Sequence, residues 1–140
     1  MNRDVLALVT EKTWQRQVEE LLTIHGWASF HDLSGKTSGS AARGFPDLIA
    51  IRGAELIALE LKTQKGRVAP EQKQWIMRFD GVETSEGHMV RPSEFEWLDA
   101  RLRRTHTQLR FDTDTRNSTG TTGHVDKLLS QPVDPMQPSP

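Results

Sequence analysis

Apolar side chains recur with helical spacing between residues 10 and 25. Four of them follow one another at steps of four, three and one, which is the period of an amphipathic helix; they are Trp14, Val18, Leu21 and Leu22. Thr10 precedes the stripe and can cap a helix through its hydroxyl, while Gly26 follows the stripe and can end it. The pattern therefore predicts a helix between Thr10 and Gly26 with one buried face.

Two short apolar runs, at residues 47–51 and 56–62, are separated by the tetrapeptide Arg52-Gly53-Ala54-Glu55. Glycine at the first central position of a two-residue loop suits a type II′ turn, whose twist matches the flanking strands. The two runs are therefore predicted to form a β-hairpin. Counting outward from the Arg52–Glu55 pair places Asp47 directly opposite Glu60.

Weaker patterns complete the domain. Residues 27–31 alternate and indicate a first strand, Pro70 opens a helix that runs through Phe79, and residues 88–91 indicate a last strand. A final helix is expected from Ser93, with Glu96 at the capping-box spacing. Its predicted apolar positions are Phe95, Trp97, Leu98 and Leu102. These elements indicate a small α/β domain with a mostly antiparallel sheet flanked by helices.

The segments between these elements are polar, and the end of the chain is more so. Residues 32–44 and 63–68 are rich in glycine, serine and basic side chains and indicate loops. Residues 105–140 carry only scattered apolar side chains, too few to offset the chain entropy of folding. We therefore predict one domain at residues 1–104 and a disordered tail at residues 105–140.

Composition excludes several classes of protein. The chain has no cysteine for disulfides or Cys-based zinc sites, and its apolar runs are too short for a membrane span. We expect no secretion signal and a cytoplasmic location. The 18 basic and 19 acidic residues nearly balance over the whole chain, but residues 36–78 hold eight basic and four acidic ones. This local excess suits a polyanionic partner, although a solvated charged surface is an alternative.

The hairpin register brings two carboxylates together. Side chains directly opposite each other have Cβ atoms roughly 4.5–5.5 Å apart, so Asp47 and Glu60 would repel unless a cation lay between them. Lys62, two residues after Glu60, projects to the same face of the sheet. This arrangement predicts an acidic metal site beside one ammonium group. An ordinary ion pair between Asp47 and Lys62 is the structural alternative.

The motif Gly44-Phe45-Pro46-Asp47 followed by Glu60-Leu61-Lys62 resembles the active-site signature of the PD-(D/E)XK nucleases. The surrounding order of elements, including Pro70-Glu71-Gln72 and Arg91-Pro92-Ser93, is similar to a stand-alone VRR-NUC domain of bacteria and phages. The likeness covers residues 10–104. It implies a restriction-endonuclease-like core and a nuclease of DNA repair, replication or phage DNA metabolism. The substrate that it implies is branched or structured DNA.

The resemblance also implies roles for individual residues. Asp47, Glu60 and the backbone carbonyl of Leu61 would bind Mg²⁺ or Mn²⁺, since hard cations prefer oxygen ligands. Lys62 would orient the attacking water and stabilise negative charge on the phosphate, and Gln72 would brace Lys62 or that water. The first helix offers a further ligand in Gln15, Glu19 or Glu11. Gln15 lies closest to the position of the family's acid, and an amide brings no charge.

Residues expected to contact nucleic acid lie in the loops beside this site. They are His31, Ser34, Lys36, Ser38, Arg43, Lys65 and Arg67. The four tryptophans, in contrast, are expected in the core. A minimal domain has little surface to hold duplex DNA, so we expect a homodimer or a partner protein. A non-catalytic DNA-binding module and an RNA-directed endonuclease are the alternative functions.

Overall fold

The computed structural model describes residues 2–31 and 43–105. In chain order its elements are helix α1 (Arg3–Leu6), helix α2 (Glu11–Ile24), strand β1 (Ala28–His31), strand β2 (Leu48–Arg52), strand β3 (Glu55–Leu61), helix α3 (Pro70–Asp80), strand β4 (Ser85–Val90), a 3₁₀ turn (Pro92–Glu94) and helix α4 (Phe95–Arg103). No helix in these ranges has the length and apolar character needed to cross a membrane.

The four strands form one sheet in the order β1-β2-β3-β4. Strand β2 is antiparallel to both β1 and β3, whereas β4 runs parallel to β3. The parallel pair requires a crossover, and α3 supplies it between the two strands. The expected α/β fold with a mostly antiparallel sheet and flanking helices is confirmed, in agreement with a restriction-endonuclease-like core.

The hydrophobic core lies between one face of the sheet and helices α2 and α4. Alternate residues of β2 and β3 face it, as expected for strands in which successive side chains point to opposite faces. The core side chains of the sheet are Leu48, Ala50, Ile57, Leu59, Leu61 and Val90, and those of the helices are Trp14, Val18, Leu21, Leu22, Leu98 and Leu102.

Helix α3 packs on β3 and β4 from the opposite face of the sheet. A Cβ atom at Gly87 would overlap the carbonyl of Ile76, so glycine permits the close approach of helix and strand. On the same helix Gln72, Trp75, Ile76 and Phe79 are all partly buried, which confirms the predicted contact side. This packing fixes the start of α3 beside the end of β3.

The strongest sequence patterns are confirmed in detail. Thr10 caps α2 by accepting a hydrogen bond from the backbone N–H of Thr13 at 3.2 Å, and Gly26, just past the helix, has φ of +76°. In the hairpin Arg52 pairs with Glu55, and Gly53 has φ of +60°. Positive φ at these two glycines is the conformation that their positions required.

The predicted start of the last helix is wrong. Residues 92–94 form a 3₁₀ turn, and Arg91 directly precedes it. The backbone N–H of Arg91 donates to the carboxylate of Glu94 at 2.8 Å. The N–H and hydroxyl of Ser93 instead pair with the side-chain amide of Gln64, at 3.2 and 3.1 Å. A partner about thirty residues away therefore replaces the local capping box that the Ser93–Glu96 spacing suggested.

Three further sequence expectations need correction. Trp97 is 46% exposed and Phe95 is 40% exposed, so neither is a core residue, whereas Trp14 and Trp27 are buried and Trp75 is partly buried. Strand β4 begins at Ser85 rather than His88, and its last residue is Val90. Helix α1 was not predicted at all. The division into residues 1–104 and 105–140 stays a prediction because residues 106–140 lie outside the described ranges.

Candidate active site

The segment before β2 is held against the start of α3. Gly44 has φ of +77°, and a Cβ atom there would lie 2.7 Å from the backbone nitrogen of Gln72. Phe45 packs edge-on against Trp75 and Phe79, with ring centroids 5.0 and 5.8 Å apart. The indole N–H of Trp75 donates to the carbonyl of the residue before Gly44 at 3.1 Å. These contacts leave little freedom in the backbone that leads to Asp47.

Asp47 lies at the mouth of the hairpin, one residue before β2. Its Oδ2 accepts a hydrogen bond from the backbone N–H of Leu61 at 2.7 Å, which ties it to the end of β3. The observed register pairs Leu48 with Leu59. Continued by one residue, this register sets Asp47 across from Glu60, as counting from the turn predicted.

Glu60 is 1% exposed, and its two oxygens have different surroundings. Oε1 pairs with the ammonium of Lys62 at 2.8 Å and accepts a further hydrogen bond from the side-chain amide of Gln72. Oε2 is buried and has no hydrogen-bond partner. A buried carboxylate oxygen without a donor is costly, which makes this atom a candidate for binding a cation.

Burial governs the protonation of both carboxylates. Desolvation raises the pKa of Glu60 from 4.5 to about 7, the hydrogen bond from Lys62 opposes that rise, and the negative charge of Asp47 adds to it. Desolvation also raises the pKa of Asp47, opposed by the backbone N–H of Leu61 and the charge of Lys62. Two carboxylates therefore share a poorly solvated place with one ammonium group.

The amide of Gln72 is held at both ends. Its Nε2 donates to Glu60, and its Oε1 accepts from the backbone N–H of Ala69 at 2.9 Å, within the first turn of α3. Gln72 therefore contacts Glu60, whereas the sequence interpretation suggested Lys62 or the attacking water as its partner. Since the amide donates only to Oε1, it leaves the other carboxylate oxygen open.

Helix α2 brings its polar residues near the site in a different way from that expected. The side-chain nitrogen of Gln15 lies 3.0 Å from Glu19 Oε1 and 2.9 Å from His31 Nδ1, so this amide links helix and strand. Glu11 contributes by its charge, which raises the pKa of both Asp47 and Glu60. Among the three candidates on this helix, Glu11 is the one whose charge acts on both carboxylates.

The donor set for a cation is small. Across residues 2–31 and 43–105, no group of three or more His, Cys, Asp or Glu side chains is arranged to hold a metal ion. Two carboxylates with a backbone carbonyl are nevertheless a fit for Mg²⁺, which binds through one or two carboxylates and keeps several waters. The buried, unpartnered Oε2 of Glu60 is the structural observation that favours this fit.

Exposed basic side chains lie on the described segments that precede Asp47 and follow Lys62 in the chain. Arg43, Lys65 and Arg67 are exposed, and the last two lie three and five residues after Lys62. The predicted contacts Ser34, Lys36 and Ser38 lie outside the described residues, as does most of the loop at 32–44. The site therefore combines a buried acidic centre with exposed positive charge.

One residue beside the site was missed as a functional candidate. Arg91, assigned from sequence to the last strand, donates hydrogen bonds to three backbone carbonyls of the loop that follows Lys62. The sequence shows the tripeptide Arg91-Pro92-Ser93. Nothing in its spacing predicts that Arg91 contacts residues 63–66.

Comparison with known protein families gives one result. A sequence model of the family described as archaeal Holliday junction resolvase (Hjc) matches residues 11–118. This range contains both carboxylates, Lys62, Gln72 and the whole sheet. No protein with curated annotation matches the chain.

Proposed function

The chain belongs to the archaeal Holliday junction resolvase (Hjc) family, and from this premise we propose that it is a divalent-metal-dependent endonuclease of branched DNA. The family consists of nucleases of the PD-(D/E)XK type, so nuclease activity and a DNA substrate agree with the sequence interpretation. Placement in the VRR-NUC group of bacteria and phages stays a prediction.

One observation supports this function above the others, namely the buried Oε2 of Glu60. Asp47 and Lys62 flank the Glu60 carboxylate, so the site holds two carboxylates and one ammonium group. A purely structural Glu60 would be expected to pair both oxygens, because leaving one unpaired in a buried place costs about 1–3 kcal/mol. The unpaired oxygen is explained if it binds a metal ion during function.

We assign a separate role in the proposed reaction to each residue of the site. Asp47 and Glu60, with the carbonyl of Leu61, would hold Mg²⁺ or Mn²⁺. A bound divalent ion supplies a more acidic water and neutralises charge on the phosphate oxygens. Lys62 lies beside the carboxylates and would stabilise negative charge on the phosphate under attack. Gln72 keeps the Glu60 carboxylate in one orientation.

The test is cleavage of a panel of substrates with Mg²⁺, Mn²⁺ or EDTA. The panel contains a four-way junction, a flap, linear duplex, single-stranded DNA, supercoiled plasmid and one RNA. The wild type is compared with Asp47→Asn and Lys62→Ala, and with Lys73→Ala as a control that removes an exposed lysine of α3. We expect metal-dependent cutting of the junction that both site variants lose and the control retains.

Other outcomes separate the alternatives. Junction binding without cutting under any metal would favour a non-catalytic DNA-binding module. Preferred cutting of the RNA would favour an RNA-directed endonuclease. Activity that persists in both site variants would contradict the proposed site.

We also propose that the active form is a homodimer. Resolving a four-way junction requires cuts in two strands, and one described fold carries one such site. On the edge of the sheet, Phe30 of β1 is 65% exposed and Ile51 of β2 is 49% exposed, and the strand register sets both on one face. Light scattering tests this proposal: a monomer at working concentration with full junction-cutting activity would refute it.

A further inference from the structure

We infer that Arg91 is a positioning residue that holds the loop at residues 63–66 rigid, so that Lys65 and Arg67 form a fixed phosphate-binding ledge beside the active site. This inference rests on the proposed nuclease function and adds to it the part of the fold that presents the substrate strand. The ledge is defined as two exposed side chains, that of Lys65 on this loop and that of Arg67 in the residue directly after it.

The loop is a tight turn that begins at the active site. The backbone N–H of Gly66 donates to the carbonyl of Thr63 at 3.1 Å, which places Lys65 at the third position of the turn. Lys62, the residue before the turn, donates its N–H to the carbonyl of Val90 at 3.0 Å. The turn therefore starts where β3 and β4 end side by side.

Arg91 follows Val90 and reaches across to this turn. One terminal nitrogen donates to the carbonyls of Thr63 at 2.5 Å and Gln64 at 3.3 Å, and the other donates to the carbonyl of Gly66 at 2.8 Å. The three acceptors surround Lys65 on both sides. A planar guanidinium with fixed donors can hold several carbonyls at once, which an ammonium does less well.

Two hydrogen bonds between the neutral residues Gln64 and Ser93 hold the same loop. Gln64 donates through Nε2 to Ser93 Oγ at 3.1 Å and accepts from the backbone N–H of Ser93 at 3.2 Å. The backbone N–H of Arg91 is itself fixed by Glu94 at 2.8 Å. The loop is thus held from residues 91 and 93 together.

The effect of this anchoring concerns the two basic side chains of the ledge, Lys65 and Arg67. A mobile lysine or arginine contributes to DNA affinity, but it must lose conformational freedom when it binds a phosphate. Anchoring the loop backbone before binding reduces that loss and sets the distance from Lys65 and Arg67 to the attacked phosphate. We expect Arg91 to act through these two side chains and not through a phosphate contact of its own.

The first experiment measures junction binding in EDTA as a function of salt. Arg91→Met should weaken binding about tenfold and lower the slope of log K against log salt by about one, the value for one lost phosphate contact. Arg91→Lys should restore the charge but only part of the affinity. Arg103→Met, which removes an exposed arginine of α4 elsewhere in the fold, is the matched control and should change neither quantity.

A double-mutant cycle then decides whether Arg91 works through the ledge. In the Lys65→Gln/Arg67→Gln background, Arg91→Met should cost less than about twofold in affinity, because the groups that it positions are gone. A full tenfold cost in that background would show a direct contact of Arg91 with DNA and would overturn the inference.

Hydrogen exchange of the loop amides gives a result that does not depend on DNA. Faster exchange at residues 63–66 in Arg91→Met is expected, and unchanged exchange would overturn the inference even if the protein is a nuclease. Gln64→Ala, which keeps every charge and offers a milder perturbation, should raise exchange and weaken binding about two- to threefold by the same reasoning. Failure of the wild type to bind any DNA would instead count against the proposed function.

Discussion

Replacing Glu60 by glutamine should remove a pH-dependent destabilisation of the metal-free protein. Desolvation, opposed by the hydrogen bond from Lys62, raises the pKa of Glu60 from 4.5 to about 7. A carboxyl group that binds its proton more tightly when folded lowers stability as pH rises through this range. A rise of this size corresponds to about 3 kcal/mol once the pH exceeds the folded pKa.

The assay is urea unfolding of both proteins in EDTA at pH 5 and pH 8. The free energy of unfolding of the glutamine variant relative to wild type should increase by about 2 kcal/mol from pH 5 to pH 8. The amide also leaves a buried polar group beside Lys62, but that cost is the same at both pH values and cancels in the comparison. Glu20→Gln, an exposed carboxylate of α2, serves as the control.

Two results would refute the reasoning. Unfolding free energies that differ by the same amount at pH 5 and pH 8 would show that Glu60 is not desolvated. Equal stabilisation of wild type and Glu60→Gln by added Mg²⁺ would show that Glu60 does not bind the metal, since a ligand of the folded state stabilises more the more tightly it binds.

Two other predictions concern a buried ion pair of the fold and the backbone that leads to Asp47. Arg101→Met should cost about 3–5 kcal/mol in unfolding free energy at pH 7, because Arg101 is 7% exposed and pairs with Glu86. Burial alone would raise the pKa of Glu86, but hydrogen bonds from His88 and Arg101 lower it to about 2, so the urea midpoints of variant and wild type should converge as the pH falls from about 4.5 towards 2. Gly44→Ala should reduce junction cleavage at least tenfold, because its Cβ would lie 2.7 Å from the α3 backbone. Gly53→Ala is the control, because Gly53 also has a positive φ but no atom lies within 4 Å of the added Cβ. It should cost only about 1–2 kcal/mol of stability and leave cleavage unchanged.

The parts of the fold that could be predicted are those specified by neighbours in the chain. Helix α2 follows from its apolar period and the Thr10 cap, and the hairpin follows from alternation and Gly53. The facing of Asp47 and Glu60 could be counted from the turn because register propagates along paired strands. Two or three local rules were therefore enough to bring the carboxylates together.

The parts that could not be predicted depend on contacts between distant residues. Arg91 has no local signal for its three carbonyl acceptors, which lie 25 to 28 residues away. Ser93 and Glu96 match a capping box, but Gln64 supplies the partner instead. Trp97 fits a helical stripe and still reaches solvent, where its ring packs against His88 at 4.9 Å. Period and spacing describe one element at a time and do not specify which elements meet.

The contacts of Arg52 define the end of the domain that lies opposite the two carboxylates. This guanidinium donates to the carbonyls of His25, Leu102 and Arg104, so both long helices of the core side finish at the hairpin turn. Asp47 lies at the other end of β2, a strand of five residues that spans roughly 17 Å. A fluorophore or surface linker placed at Thr105 would therefore sit well away from the carboxylates. The protein can be immobilised by that end for single-molecule work while the end that carries the two carboxylates stays open.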